Sequence, residues 1–235
     1  MDLAYGNLLC RSTGNGQKTV ARIRRFFRVR FADARTCCFR SHDGFVYPPD
    51  MRTFLAIPVP DDVKASLCDA VGRLAPIASG VSWCKRDQLH ITLIFLGEAA
   101  PSIMPHVTAA ADRVCATLPP FACRAQGWGV FGTKRMPKTL WAGVDLSPAL
   151  DALYERLWLE LKKYGFKNEA SDFRPHITLG RCRNDANNRS VVETMSDDEQ
   201  TDFGVWTVRG VTLYESRLTP RGSLYRKLSQ SPLLG

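Results

Sequence analysis

Two identical four-residue segments carry the side chains of this sequence that are best suited to acid–base chemistry. The first is HITL at His90–Leu93, and the second is HITL at His176–Leu179, which begins 86 residues later (176 − 90). The chain contains only 4 histidines, and imidazole exchanges protons near neutral pH. Two imidazoles brought into one cleft would form an acid–base pair.

The spacing inside each segment adds a hydroxyl group to the imidazole. In a strand, residues two apart project from the same face, so His90 and Thr92 share one face, as do His176 and Thr178. If the two strands meet across a groove, this set suits an in-line displacement at phosphorus. One histidine would deprotonate water, the other would protonate the leaving oxygen, and the hydroxyls would hold the non-bridging phosphate oxygens.

A single His-x-Thr on a strand is more often a hydrogen-bonded histidine at a sheet edge, but two copies in a matched context favour a catalytic pair. The other histidines, His42 and His106, have no such context. Neither motif has a carboxylate or a cysteine at ligand spacing, so we predict no metal site and no cofactor.

The repeat extends beyond the motifs to the elements that must position them. Phe54–Ala56 aligns with Leu140–Ala142, and each lies 36 residues before its histidine (90 − 54 and 176 − 140). Each half then has one helix-like stretch, at Asp61–Leu74 and Ser147–Tyr164, with apolar residues three and four apart. Each half is therefore predicted to run strand, helix, connection and histidine strand, forming two related lobes that face each other.

The remaining segments predict further strands and helices, which together indicate an α+β fold. Glycines 127 and 129 suggest a bulge or a close approach inside one strand. The predicted strands lie at 81–84, 121–131, 139–145, 203–215 and 224–228, and the predicted helices at 101–118 and 188–195.

Composition limits the class of protein. The net charge is +9, which suits an anionic partner such as RNA but is weak support for one. No apolar run is long enough to span a membrane, so no membrane partner is predicted. The 8 cysteines form no C-x-x-C pair and lie mostly among apolar neighbours, as in the reduced core of a cytoplasmic protein.

The first fifty residues differ from the rest of the chain. Residues 3–19 lack periodicity, residues 19–31 mix arginines with bulky apolar side chains, and Pro48-Pro49 stops any regular element. We predict that residues 1–50 are a disordered extension, or follow from an upstream start codon assigned in error, and that the functional domain is 51–235. An arginine-rich targeting or anion-binding helix is the alternative.

With both motifs in this context, the sequence resembles the 2H phosphoesterases, and within them the RNA 2′,3′-cyclic phosphodiesterases, also called 2′-5′ RNA ligase-like proteins. The segments that carry the resemblance are RTFLAIPVP (52–60), LHITLIFLGE (89–98), TLWAGVDL (139–146), FRPHITLGR (173–181) and LYESRLTPRGSLYRKL (213–228). The resemblance implies a bilobal α+β fold with two pseudo-symmetric antiparallel sheets, flanked by helices, and a central cleft. It also implies metal-independent hydrolysis of RNA 2′,3′-cyclic phosphate ends to a 2′-phosphate. We further predict that the protein is a monomer.

Carried over residue by residue, the resemblance makes His90 the proton donor and His176 the proton acceptor, with Thr92 and Thr178 binding phosphate. The alternatives are 2′-5′ RNA ligation, in which a ribose hydroxyl replaces water, and a nucleotide-binding module of the same fold without turnover. Retention of both histidines and both threonines argues against the second alternative.

Other residues are weaker candidates. Arg174 could neutralise phosphate or pair with an acid. Arg135, with Lys134 and Lys138, could follow an RNA backbone or lie on a solvated loop. Strand alternation predicts that Arg181, five residues after His176, lies off the catalytic face. Trp141 and Tyr225 could stack a base, although core packing is favoured.

Overall fold

The structure, a computed structural model, describes residues 51–78, 80–167, 172–183, 188–197, 200–220 and 222–235. The prediction for residues 1–50 lies outside the described residues. No helix among the described residues is long and apolar enough to cross a membrane.

The first half of the described chain alternates strands and helices as the repeat predicts. Its elements are β1 (Met51–Pro58), α1 (Asp61–Leu74), β2 (Val81–Trp83), β3 (His90–Ala99) and α2 (Met104–Cys115). The second half contains β4 (Phe121–Gly132), β5 (Pro137–Val144), α3 (Pro148–Lys162), β6 (His176–Cys182), α4 (Arg189–Asp197), β7 (Asp202–Val208), β8 (Gly210–Thr219) and β9 (Gly222–Pro232).

The two long helices begin and pack as their sequences predict. Ser147 caps α3, because its hydroxyl oxygen accepts a hydrogen bond from the Leu150 backbone N–H at 3.2 Å, and Pro148 occupies the first turn. Helix α1 has two aspartates in its first turn, where the helix dipole favours negative charge. Each helix buries one apolar stripe, formed by Val63, Leu67, Ala70 and Leu74 in α1 and by Leu150, Leu153, Leu157 and Leu161 in α3.

The strands form one 9-stranded antiparallel sheet in the order β7-β4-β5-β6-β3-β1-β8-β9, with β2 paired to β6. The order is pseudo-symmetric about the centre, where β3 and β6 carry the two motifs and are flanked by the equivalent strands β1 and β5. The two central strands pair at one position, Ile91 opposite Ile177, and β2 of the first half also pairs with β6 through Val81–Trp83. The antiparallel α+β prediction is confirmed, and these pairings join the two predicted sheets into one.

Residues 203–215 were predicted as one strand-forming segment, and the structure divides this segment between the two halves. The strand is interrupted at Arg209, so that β7 pairs with β4 while β8 pairs with β1 and β9. Strand β7 alternates buried and exposed residues, whereas the first four residues of β8, Gly210–Leu213, are all buried because other elements cover both faces of the sheet there.

A common core lies on the face of the sheet opposite the motif histidines. Ile91, Ile177 and Leu179 are fully buried and belong to the same cluster as the α3 leucines. This packing fixes the register of the two central strands, because a slip by one residue would turn the apolar set outward. It therefore also fixes the face on which the histidines stand.

Candidate active site

The two motifs lie side by side where the halves of the sheet meet. Strands β3 and β6 are antiparallel with Ile91 opposite Ile177, so the register places the histidine of each motif beside the threonine of the other. The isoleucines are buried, whereas both histidines and both threonines are partly exposed on the other face. The predicted alternation is confirmed, and it yields two imidazoles arranged diagonally with two hydroxyls between them.

Backbone carbonyls orient both imidazole rings in the same way. The Nδ1 atom of His90 lies 2.6 Å from the Gln88 carbonyl oxygen, and that of His176 lies 2.8 Å from the Arg174 carbonyl oxygen. A carbonyl oxygen can only accept, so each Nδ1 carries the proton and donates it. Each Nε2 is then the atom available for proton transfer, and that of His90 lies 3.0 Å from the Thr92 hydroxyl.

Gln88 was not predicted, although it holds the carbonyl that orients His90. Its side-chain oxygen accepts a hydrogen bond from the Lys85 backbone N–H at 2.7 Å, and its Nε2 donates to the Ser223 carbonyl oxygen at 2.6 Å. The glutamine thus connects the turn before β3 to strand β9. A lone glutamine before a strand gives no signal in the sequence, because its partner lies 135 residues away.

Aromatic rings surround both histidines. Two of these rings, those of Trp141 and Tyr225, were predicted to lie in the core. Phe54 stacks on His90 with centroids 4.8 Å apart, and Tyr225 meets the same ring edge-on at 5.3 Å. Trp141 lies 5.9 Å from His176. Core packing was the favoured prediction for Trp141 and Tyr225, but both are only partly buried and contact the motif histidines instead.

The space for Trp141 comes from a glycine on the neighbouring strand. A Cβ atom at Gly129 would lie 2.0 Å from the indole ring, closer than any real contact. The close approach suggested by glycines 127 and 129 therefore exists at Gly129, and Gly127 lies at a register shift of β4 with φ of 73°. The space at Gly129 therefore allows Trp141 to lie beside His176.

Burial makes both imidazoles harder to protonate. It lowers the pKa of His90 to about 4, and the charges of His176 and Lys64 act in the same direction. Burial also lowers the pKa of His176, and the nearby Arg181 guanidinium lowers it further. Both rings are therefore neutral at pH 7 in the free protein. A bound phosphate anion would oppose these effects and favour the imidazolium form.

The position of Arg181 contradicts the prediction that it lies off the catalytic face. In β6, Leu140 pairs with Gly180 and Trp141 with Thr178, so the extra residue Leu179 forms a bulge. The bulge shifts the alternation by one, and Leu179 and Gly180 are both buried. Arg181 consequently returns to the side of His176, whose pKa its charge lowers.

Strand β3 contains the same irregularity. Leu55 pairs with Ile94 and Ala56 with Thr92, which leaves Leu93 as the extra residue. Leu93 and Ile94 are both buried, and Phe95 is exposed. Each motif is thus followed by a bulge that turns the fifth residue after its histidine back towards the cleft.

The weaker candidates occupy different places. Arg174 lies on the wall of a groove that also contacts Thr92 and His176, and its side chain forms no ion pair with another described residue. Arg135 and Lys134 lie on the exposed turn between β4 and β5, Lys138 is exposed just beyond it, and none of the three lines that groove. Among the described residues, no group of three His, Cys, Asp or Glu side chains could hold a metal ion.

The lowered pKa of His90 should make the stability of the protein depend on pH. A histidine that is neutral in the folded state down to about pH 4 binds its proton in the unfolded state from about pH 6.5. The free energy of unfolding therefore decreases as the pH falls through this window, by up to about 3 kcal/mol. His90→Asn should remove this part of the pH dependence.

Urea unfolding of the wild type and of His90→Asn between pH 4 and pH 7 measures the effect. The variant should gain stability relative to the wild type as the pH falls. His106→Asn, which removes an exposed imidazole, serves as the control and should leave the slope unchanged. Parallel curves for the wild type and His90→Asn would show that His90 is not held neutral by burial.

The sequence is similar to those of known proteins. The family model described as the 2′-5′ RNA ligase superfamily matches residues 61–219. The RNA 2′,3′-cyclic phosphodiesterase of Thermotoga maritima is 31% identical over 185 residues, which cover 79% of this chain and 97% of the relative. The enzyme of the same name from Archaeoglobus fulgidus is 32% identical over 178 residues, which cover 76% of this chain and 98% of the relative.

Solved structures share the fold. A crystal structure of a Thermus thermophilus protein superposes with a TM-score of 0.69 at 29% identity, covering 79% of this chain and 99% of that protein. The E. coli LigT protein in complex with 3′-AMP superposes with a TM-score of 0.62 at 23% identity, covering 80% of this chain and all (100%) of LigT. At 23% identity, the likeness to LigT shows a shared fold only.

Proposed function

This chain belongs to the 2′-5′ RNA ligase superfamily, and from this membership we propose that it is an RNA 2′,3′-cyclic phosphodiesterase. It would open the cyclic phosphate at an RNA 3′ end by hydrolysis and leave a 2′-phosphate. The observation that carries the proposal is the diagonal arrangement of two imidazoles and two hydroxyls on the adjacent strands β3 and β6.

Each side chain has a defined part in the reaction. The Nε2 atom of His176 takes a proton from water as the water oxygen forms a bond to phosphorus. The bond from phosphorus to the ribose 3′ oxygen breaks, and that oxygen takes a proton from Nε2 of His90. The hydroxyls of Thr92 and Thr178 donate hydrogen bonds to the non-bridging oxygens. The negative charge of the substrate would raise the pKa of His90 enough for it to carry the proton.

Arg181 supplies the positive charge that this scheme requires. Its guanidinium acts electrostatically on both His176 and Tyr225, so it lies within reach of the space between the two motifs. We propose that it stabilises the charge that develops on the phosphoryl oxygens. Arg174, at the wall of the groove, would neutralise phosphate nearby, and Arg135 would contact the RNA chain further out.

We also propose the limits of the catalytic domain, the oligomeric state of the protein and its cellular location. We propose that residues 51–235 form the catalytic domain, since the strands from Met51 to Pro232 share one sheet and the family match lies within this range. We propose a monomer that acts in the cytoplasm without a cofactor. The five cysteines among the described residues are free thiols, as expected in a reducing compartment.

An assay with a defined RNA that ends in a 2′,3′-cyclic phosphate tests the function. Because side chains perform both proton transfers, we expect full hydrolysis in EDTA and a product with a 2′-phosphate. An RNA with a 5′-hydroxyl end, added in parallel, detects ligation. The mechanism would be contradicted if EDTA abolished activity and zinc or manganese restored it. A product with a 3′-phosphate would also contradict it.

A further inference from the structure

An open groove leads away from the catalytic residues along one side of β3. It begins at Thr92 and His176 and has a volume of about 880 Å³, which is within the range of small-molecule sites. Strand β3 forms one wall, and residues 164–167 and 172–174 form the other. The groove is therefore continuous with the site where the phosphate would react.

Phe95 lies in the wall of this groove with an open ring face. It is 51% exposed and is the one exposed aromatic side chain among the described residues, the others being buried or partly buried. The guanidinium carbon of Arg52 lies 4.9 Å from the centre of the ring and covers one face of it. An exposed ring beside a cleft, supported from one side, is suited to stacking against another flat ring.

The repeat explains why this position is informative. Phe95 is the counterpart of Arg181 (95 + 86), and each follows the bulge of its motif. The histidines and threonines are the same in both halves, but this position is aromatic in one half and cationic in the other. A cyclic phosphate has a nucleoside on one side only, so its recognition requires such a difference between the halves.

We propose that the groove holds the nucleoside that carries the cyclic phosphate, with its base stacked on the open face of Phe95. The exposed lining of the groove carries two cations, Lys167 and Arg174, and two carboxylates, Glu98 and Asp172, so the proposal rests on the base contact and not on charge. This inference rests on the proposed function and adds to it a contact with the base that any of the four bases can make.

Two small substrates separate the base contact from the chemistry. One is adenosine 2′,3′-cyclic phosphate, and the other is the same cyclic phosphate on a ribose ring that lacks the base. Phe95→Ala should raise KM for the adenosine compound by about 10- to 100-fold, the usual effect of losing one stacked base. It should leave hydrolysis of the compound without a base unchanged, and Phe95→Trp should restore the low KM.

Leu159→Ala is the matched control, because Leu159 is an exposed apolar residue that does not line the groove. It should behave as the wild type with both substrates. Equal losses with both substrates in Phe95→Ala would overturn the stacking contact in favour of a structural role. Wild-type hydrolysis that does not depend on the base would overturn the contact while leaving the proposed function intact. Hydrolysis of the RNA 2′,3′-cyclic phosphate but of neither small compound would have the same meaning, and hydrolysis of none of the three would overturn both.

Discussion

Replacement of His90 or His176 by alanine is expected to lower kcat by about 10² to 10⁴, the usual range for the loss of one general acid or base. Both rings present Nε2 to the cleft, because a backbone carbonyl holds each Nδ1. The double variant should be little worse than either single variant, since the two groups act on the same displacement. Thr92→Ala and Thr178→Ala should cost less, because each loses a neutral donor.

A substrate with an activated 3′ leaving group distinguishes the acid from the base. Such a leaving group needs no protonation, so it should largely rescue His90→Ala and leave His176→Ala impaired. The local geometry is the same for both rings, and the assignment of roles comes from the family. Rescue of His176→Ala alone would reverse the assignment, and rescue of neither variant would contradict the acid–base scheme.

The wild type should show a bell-shaped pH dependence, because one imidazole must be neutral and the other protonated. The profile of kcat/KM reports the free protein, in which the pKa values of both histidines are lowered by burial. Its maximum should therefore lie below pH 6.5, where an unperturbed histidine titrates. The maximum of kcat should lie at higher pH, because bound phosphate favours the imidazolium form.

Arg181→Ala is expected to lower kcat by about 10²-fold, similar to the loss of one preorganised donor to a developing oxyanion. Arg181→Lys should retain part of the activity, because it keeps the charge but loses the forked geometry of the guanidinium. The alanine variant also removes a positive charge that lowers the pKa of His176. The His176 limb of the pH profile should therefore move to higher pH.

Arg209→Ala provides the matched control, because this arginine is exposed and lies at the break between β7 and β8. It changes the net charge by the same amount and should leave both kcat and the pH profile unchanged. An Arg181→Ala variant with wild-type kcat would show that this guanidinium does not stabilise charge on the phosphoryl oxygens. A loss of kcat without any shift of the pH profile would show that the charge of Arg181 does not affect the pKa of His176.

The sequence by itself determined the parts that depend on local backbone geometry. Side chains two apart share a face of any regular strand, so the pairing of His90 with Thr92 could be predicted before the strand partners were known. The extent of α1 followed from its apolar stripe, although Pro60 and not an aspartate occupies its cap position, and the start of α3 followed from Ser147 and Pro148. The repeat of 86 residues (176 − 90) predicted that two such halves would be arranged alike.

The tertiary structure decided what depends on the partner strand. A bulge forms where two strands of different local length are paired, so neither Arg181 nor Phe95 could be assigned to the cleft from alternation alone. The orientation of His90 likewise depends on Gln88, which a carbonyl of β9 holds in place. The depressed pKa of His90 arises from packing by residues distant in sequence. Burial and register are properties of contacts between segments, and the order of residues within one segment does not contain them.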